Sequence, residues 1–205
     1  PEAVDVLAAG KPLTIDMGKA SFRGHDGARH TRYFINLLSF GMGGDVAARS
    51  NNFLSPLGGT VAFFYASAVG VLRYRRKQVR LELDGTASSA SIYNVAVGNG
   101  RFHGGGMQIC PTADPTDGVL EVTVIDYMTL AEVILDFRVL YSDNVYRHRK
   151  VHHLRGRRLV AESSDLVRFE IDGEPLGTLP LEITVLPQRI AVLVPPSSPL
   201  LRLSR

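Results

Sequence analysis

The chain has 205 residues, 45% of them hydrophobic and 21% charged, which is the composition of a globular protein that builds its own core. Its net charge of +3 is too small to indicate a nucleic-acid partner, and we expect none. A single cysteine, Cys110, excludes an intrachain disulfide and fits a reducing cytoplasm.

The first half of the chain predicts strands and helices in alternation. EAVDVLAAG ends at Gly10 and is typical of the end of a helix. Alternating apolar residues predict strands over 13–22 and 29–41, and helical spacing predicts a helix over 43–52. The run VAFFYASAVGVL within 59–74 predicts a buried helix, because its 12 residues cannot span a bilayer.

The second half is richer in predicted strands. Asp84-Gly85 predicts the turn of a hairpin between strands at 78–85 and 89–100. A strand over 118–126 precedes an amphipathic helix over 129–141, with Thr129 at its N-cap. From 150 onward the pattern is all β, in segments separated by Gly, Pro or Asp, and we expect a loose tail over 196–205. The predicted class is α+β, a mainly antiparallel β-sandwich-like domain with two or three helices.

Two aspartates three residues apart lie in the turn TADPTDGVL, between a glycine run and the next strand. Asp114, Asp117 and a backbone carbonyl there could be directed at one point, which suits a hard cation such as Mg²⁺. A plain Asx turn accounts for the same residues, since Asp-Gly is common turn chemistry. Spacing alone leaves both interpretations open.

A second acidic segment, EIDGEPLG, follows a predicted strand over 166–171. Asp172-Gly173 would end that strand and expose Glu174 beside a turn at Pro175, where a carboxylate could act as a general base toward a hydroxyl. A hairpin turn without chemistry is the alternative.

Two familiar nucleotide sites are absent from the sequence. There is no Walker-A motif, and the glycines of GNGRFHGGG have the wrong spacing for a dinucleotide fingerprint. Basic residues cluster in RYRRKQVR (73–80) and RHRKVHHLRGRR (147–158), which are either solvated faces or contacts for phosphates and anionic lipid surfaces.

Three segments together resemble a known family: 34–47 (FINLLSFGMGGDVA), 94–122 and 169–195. In this order, GNG, GGGM, the acidic turn and DGE are similar to the C-terminal domain of the diacylglycerol kinase catalytic family, over about residues 10–195. The family's ATP-holding Gly-Gly-Asp-Gly-Thr motif is absent. The resemblance therefore implies that residues 1–205 are the lipid-side lobe of a two-domain kinase without its N-terminal ATP-binding lobe.

The resemblance also assigns residues. Glu174 matches the family's acceptor of the lipid hydroxyl proton, and Asp172 is its neighbour in the active site. Asp114, Asp117 and the carbonyl of Val119 match the family's Mg²⁺ site. The glycine run would let the backbone approach the cleft between the lobes.

What the resemblance implies is phosphoryl transfer from Mg²⁺-ATP to diacylglycerol or a similar lipid alcohol, by a cytoplasmic protein peripheral to an anionic membrane. The chain alone would be inactive, and exposed sheet edges would favour a homodimer. Two alternatives stay open: a non-catalytic β-rich binding module, and a kinase for a sphingoid base, ceramide or another acceptor. NAD kinases share the architecture, but their Gly-rich NAD-binding pattern is not found here.

Overall fold

The computed structural model describes residues 2–24, 26–52, 73–104, 106–136, 139, 142 and 144–203. Eleven strands run through these residues: β1 (Lys11–Arg23), β2 (Arg29–Phe34), β3 (Leu37–Gly41), β4 (Lys77–Leu83), β5 (Thr86–Gly98), β6 (Leu120–Asp126), β7 (Val151–Gly156), β8 (Arg158–Glu162), β9 (Arg168–Ile171), β10 (Glu174–Thr178) and β11 (Leu181–Val194). The described helices are α1 (Glu2–Ala9), α2 (Met42–Asn52), α3 (Leu130–Asp136), the single turn α4 (Leu200–Leu203) and a 3₁₀ turn (Val145–Arg147).

Every strand pairing is antiparallel, and the strands form one sheet in the order β10-β9-β3-β5-β4-β8-β11-β1-β2, with β6 joining β5 to β7. Apolar residues from nine of these strands share one buried cluster that includes Phe22, Phe40 and Phe169. Strands distant in the sheet can share a core only if the sheet curls onto itself, as in a sandwich. The predicted α+β, mainly antiparallel β-sandwich-like class is confirmed.

Local signals in the sequence placed several elements correctly. Asp84 and Gly85 have φ of 47° and 86°, as a two-residue hairpin turn requires, and they join β4 to β5. Thr129 and Glu132 form a capping box at the start of α3, where each backbone N–H donates to the other's side chain. None of the described helices is long and apolar enough to cross a membrane.

Other elements differ from the predictions. The single strand predicted over 29–41 breaks at Ile35 and Asn36. The segments LEITVLP and RIAVLVP, predicted as separate strands on either side of Pro187, form one strand, β11, which continues through that proline. Pro175, predicted in a turn, lies inside β10 at an irregularity of its pairing with β9. The helix predicted within 59–74 lies mostly outside the described residues.

Candidate functional site

The turn between β9 and β10 is a two-residue hairpin turn built from Asp172 and Gly173, whose φ angles are 48° and 91°. Asp172 anchors it to the break between β2 and β3. Its carboxylate accepts the N–H of Leu37 at 2.8 Å and of Ile35 at 3.2 Å, and its own N–H donates to the Leu37 carbonyl at 2.9 Å. Asp172 therefore holds the turn in place. The break between β2 and β3 leaves the N–H groups of Ile35 and Leu37 available to the Asp172 carboxylate.

Glu170, which the sequence analysis missed, supports the same turn from inside. Its carboxylate is 1% exposed and accepts the Ser39 hydroxyl and the Gly173 N–H, each at 2.6 Å. His103 Nε2, from the segment after β5, lies 3.2 Å from the same carboxylate. The signal in the sequence that could have identified Glu170 was a carboxylate inside the apolar strand FEI, because a buried charge needs several hydrogen-bond partners.

Glu174 is the first residue of β10, and its side chain is exposed, as predicted. Within the described part of the chain, no hydrogen bond or ion pair engages its carboxylate. The turn and its two flanking strands thus carry three acids in two different environments: Asp172 and Glu170 are used in hydrogen bonds, whereas the Glu174 carboxylate has no partner among the described residues.

The acidic turn between β5 and β6 consists of two Asx turns. Asp114 Oδ1 accepts the N–H and the hydroxyl of Thr116, at 2.9 and 2.7 Å. Asp117 Oδ1 accepts the N–H of Val119 at 3.0 Å, and Asp117 Oδ2 pairs with Arg155. The Asx-turn interpretation of TADPTDGVL therefore accounts for the hydrogen bonds within this segment.

A buried aspartate, Asp16, fixes this turn to the sheet. Its side chain is fully buried at the point where the pairing of β1 with β11 shifts register, and it accepts the Gly118 N–H at 2.7 Å and the Gln188 N–H at 2.8 Å. The Asp16 N–H donates to the Pro115 carbonyl at 2.7 Å. Asp16 was not predicted as a functional residue because it occupies an alternating strand. An acid among apolar strand residues was the signal that could have identified it.

Asn99 links the two turns. Its amide nitrogen donates to the carbonyl of Asp16 at 3.0 Å and to that of Ile35 at 2.9 Å, so one buried side chain bridges the acidic turn and the segment that anchors Asp172. Its Oδ1 is buried without a donor among the described residues. The flanking glycines allow this packing: a Cβ on Gly98 would lie 2.7 Å from Cys110 Sγ, and one on Gly100 would lie 2.4 Å from Asn36 Oδ1.

The acidic turn brings the carboxylates of Asp114, Asp117 and Asp16 close together, and Arg155 balances part of their charge. The pKa of Asp117 is raised above its ordinary value, and burial is the largest cause. The Val119 N–H and Arg155 lower this pKa, while the nearby carboxylates of Asp114 and Asp16 raise it further. The candidate metal ligands are all hard oxygens. Asp114 Oδ2 accepts no hydrogen bond in the described part of the chain. No cluster of three or more His, Cys, Asp or Glu side chains able to hold a metal occurs among the described residues. A cation here would thus rely on Asp114, Asp117 and backbone or water oxygens.

Comparisons with known proteins identify the family and relatives of this chain. The model of the YegS C-terminal NAD kinase beta sandwich-like domain matches residues 36–194. The chain is 28% identical over 194 residues to a Mycobacterium tuberculosis protein named diacylglycerol kinase, a match that covers 94% of this chain and 61% of that protein. It is 26% identical over 191 residues to a Pseudomonas putida protein named probable lipid kinase YegS-like, covering 93% and 59%.

A solved structure of a diacylglycerol kinase from Bacillus anthracis superimposes with a TM-score of 0.62 and 19% identity, over 96% of this chain and 59% of that one. A second structure from that organism gives a TM-score of 0.69 at the same identity. At this identity the likeness shows the fold. The chain spans about three fifths of the length of these relatives.

Proposed function

Since the chain belongs to the YegS C-terminal NAD kinase beta sandwich-like domain family, we propose that it is the lipid-acceptor and catalytic-base lobe of an ATP-dependent lipid kinase. The acceptor is diacylglycerol or a similar lipid alcohol. The observation that carries the proposal is the β9–β10 turn. Glu174 is exposed there and has no partner among the described residues, while Asp172 and Glu170 hold the turn through hydrogen bonds. The names of the relatives support the reaction class.

Glu174 is the general base. A base must reach the hydroxyl it deprotonates and must not be committed to another donor, and Glu174 meets the second condition. Asp172 fixes the turn to the backbone of Leu37 and Ile35, and Glu170 fixes it to Ser39. Phosphoryl transfer depends chiefly on positioning and electrostatics, so these two residues contribute by keeping the base in one place.

The acidic turn would hold Mg²⁺ through Asp114, Asp117 and the carbonyl of Val119. A cation there would supply positive charge against these two carboxylates. Asp16 and Asn99 then connect the cation site mechanically to the turn that carries Glu174.

A nucleotide-binding lobe completes the kinase in this proposal, in the region of the relatives that this chain does not cover. ATP binds mainly to that lobe, so the 205-residue chain by itself gives no detectable phosphate transfer.

The test is lipid-dependent phosphate transfer from ATP by the protein with its nucleotide-binding lobe. Diacylglycerol, ceramide, a sphingoid base and a monoacylglycerol are supplied in mixed micelles, with micelles lacking an alcohol as the control. Transfer that depends on one of these alcohols supports the proposal and identifies the acceptor. Absence of transfer to every alcohol, in a preparation that binds ATP, would favour a non-catalytic binding module.

A further inference from the structure

Arg155, on β7, lies between two carboxylates. It pairs directly with Glu121 of β6, so the two side chains project from the same face of the sheet. Its Nη2 contacts Asp117 Oδ2 in the acidic turn, while its Nε lies 2.8 Å from Glu121 Oε1. The side chain of Arg155 is 49% exposed, whereas those of Asp117 and Glu121 are 27% and 2% exposed. A half-exposed cation therefore bridges the acidic turn and a buried acid.

Arg155 occupies the oxygen of Asp117 that a metal ion at the turn would need. Asp117 Oδ1 accepts the Val119 N–H at 3.0 Å, a bond that closes the Asx turn, and Asp117 Oδ2 pairs with Arg155. This leaves Oδ2 as the oxygen that can change its partner. A cation bound through Asp114 and Asp117 would lie beside the guanidinium, and like charges at such short range repel each other. Cation binding at the turn and the Arg155–Asp117 ion pair therefore oppose each other.

Glu121 gives Arg155 a second place to bind. His153 contacts Glu121 Oε2, but Oε1 accepts no hydrogen bond in the described part of the chain, so its contact with Arg155 is purely electrostatic. A buried carboxylate attracts a neighbouring cation strongly, because little water screens the charge and an unpaired buried charge is unfavourable. The guanidinium can therefore leave Asp117 and still be paired with Glu121.

We propose that Arg155 is the resident counter-ion of the acidic turn and sets the affinity of that turn for a divalent cation. Without a metal ion, Arg155 neutralises Asp117; with one bound at Asp114 and Asp117, Arg155 pairs with Glu121 alone. Because a guanidinium has to be displaced, the turn binds Mg²⁺ more weakly than its carboxylates alone would. The inference rests on the cation site of the proposed function and identifies the residue that tunes it.

The experiment is calorimetric titration of the 205-residue chain with MgCl₂ at constant ionic strength. We expect Arg155→Gln to bind Mg²⁺ at least about fivefold more tightly than the wild type, because the competing charge is gone. Arg155→Met removes the same charge but keeps an apolar stem, and it should show the same gain. Melting temperatures measured without Mg²⁺ establish which variants fold, and either variant suffices for the test.

Arg157→Gln is the matched control. It removes the same charge two residues further along the chain, but the exposed Arg157 side chain forms no ion pair with the described residues. Its dissociation constant for Mg²⁺ should stay within about twofold of the wild-type value, since salt screens charges that are not in contact. Adding Asp114→Asn to Arg155→Gln should abolish the gain, which assigns the tighter binding to the acidic turn.

The results that would contradict the inference can be told apart from failure of the cation site. Wild-type binding of Mg²⁺ with unchanged or weaker affinity in Arg155→Gln would exclude Arg155 as the counter-ion and leave the cation site in place. Equal gains in Arg155→Gln and Arg157→Gln would replace the local ion pair with an effect of net charge. Absence of Mg²⁺ binding in every variant, or tight binding that survives Asp114→Asn, would overturn the cation site and the inference together.

Discussion

The buried carboxylate of Glu170 should be a main support of the turn that carries Glu174. It accepts a hydroxyl and a backbone N–H, each at 2.6 Å, and lies 3.2 Å from His103 Nε2. Glu170→Ala removes this acceptor, and the Ser39 hydroxyl and the Gly173 N–H lose their partner. Each buried polar group left unsatisfied costs about 1–3 kcal/mol, so we expect the free energy of unfolding to fall by about 3–5 kcal/mol, including the lost packing.

Urea denaturation followed by far-UV circular dichroism measures this change. Ser39→Ala removes one donor and should lower the free energy of unfolding by about 1–2 kcal/mol. In the double variant the two losses should not add, because Ser39 and Glu170 share one hydrogen bond. Glu162→Ala, an exposed glutamate at the end of β8, is the control and should stay within about 0.5 kcal/mol of the wild type. A loss below about 1 kcal/mol for Glu170→Ala would refute the assignment of this residue as the support of the turn.

Three further predictions concern the acidic turn and the core. Millimolar Mg²⁺ should raise the melting temperature of the chain by about 2–5 °C, and Asp114→Asn should abolish the shift; an equal shift in the variant would remove the cation from this turn. Asp16→Asn should lower the free energy of unfolding by about 2–3 kcal/mol in urea titrations. The new amide NH₂ group would face the N–H of Gly118 or of Gln188, and two donors cannot form a hydrogen bond. Asp5→Asn, at an exposed position, is the control and should leave the free energy of unfolding unchanged. Burial raises the pKa of the Cys110 thiol to about 12, so a disulfide reagent at pH 8 should modify the folded chain roughly 100-fold more slowly than the urea-unfolded chain; comparable rates would contradict the buried thiol.

The elements that the sequence predicted correctly depend on neighbouring residues alone. The Asp84-Gly85 turn needs two residues that tolerate positive φ, and the α3 capping box needs Thr129 and Glu132 three apart. Alternation likewise predicts a strand without knowledge of its partner. These signals were enough for the fold class and for the position of Glu174 at a strand end.

The parts that were missed depend on residues far apart in the chain. Nothing in RHTRYFINLLSFG breaks a strand; the break at Ile35 follows from the Asp172 carboxylate, 137 positions away, which takes its N–H. Asp16 and Glu170 read as ordinary strand residues until their donors, at Gly118, Gln188 and Ser39, come together in the folded sheet. The sequence did not decide whether the acidic turn is a cation site or a pair of Asx turns, because the spacing of Asp114 and Asp117 fits both.

The most direct test of the account compares Glu174→Gln with the wild type in lipid-dependent phosphate transfer, in the protein with its nucleotide-binding lobe. Glutamine keeps the size of the side chain but cannot accept the hydroxyl proton, so we expect the turnover rate to fall by about 10²–10⁴-fold with ATP binding unchanged. The exposed Glu162→Gln should be fully active. A Glu174→Gln enzyme that transfers phosphate at the wild-type rate would contradict the assignment of Glu174 as the base.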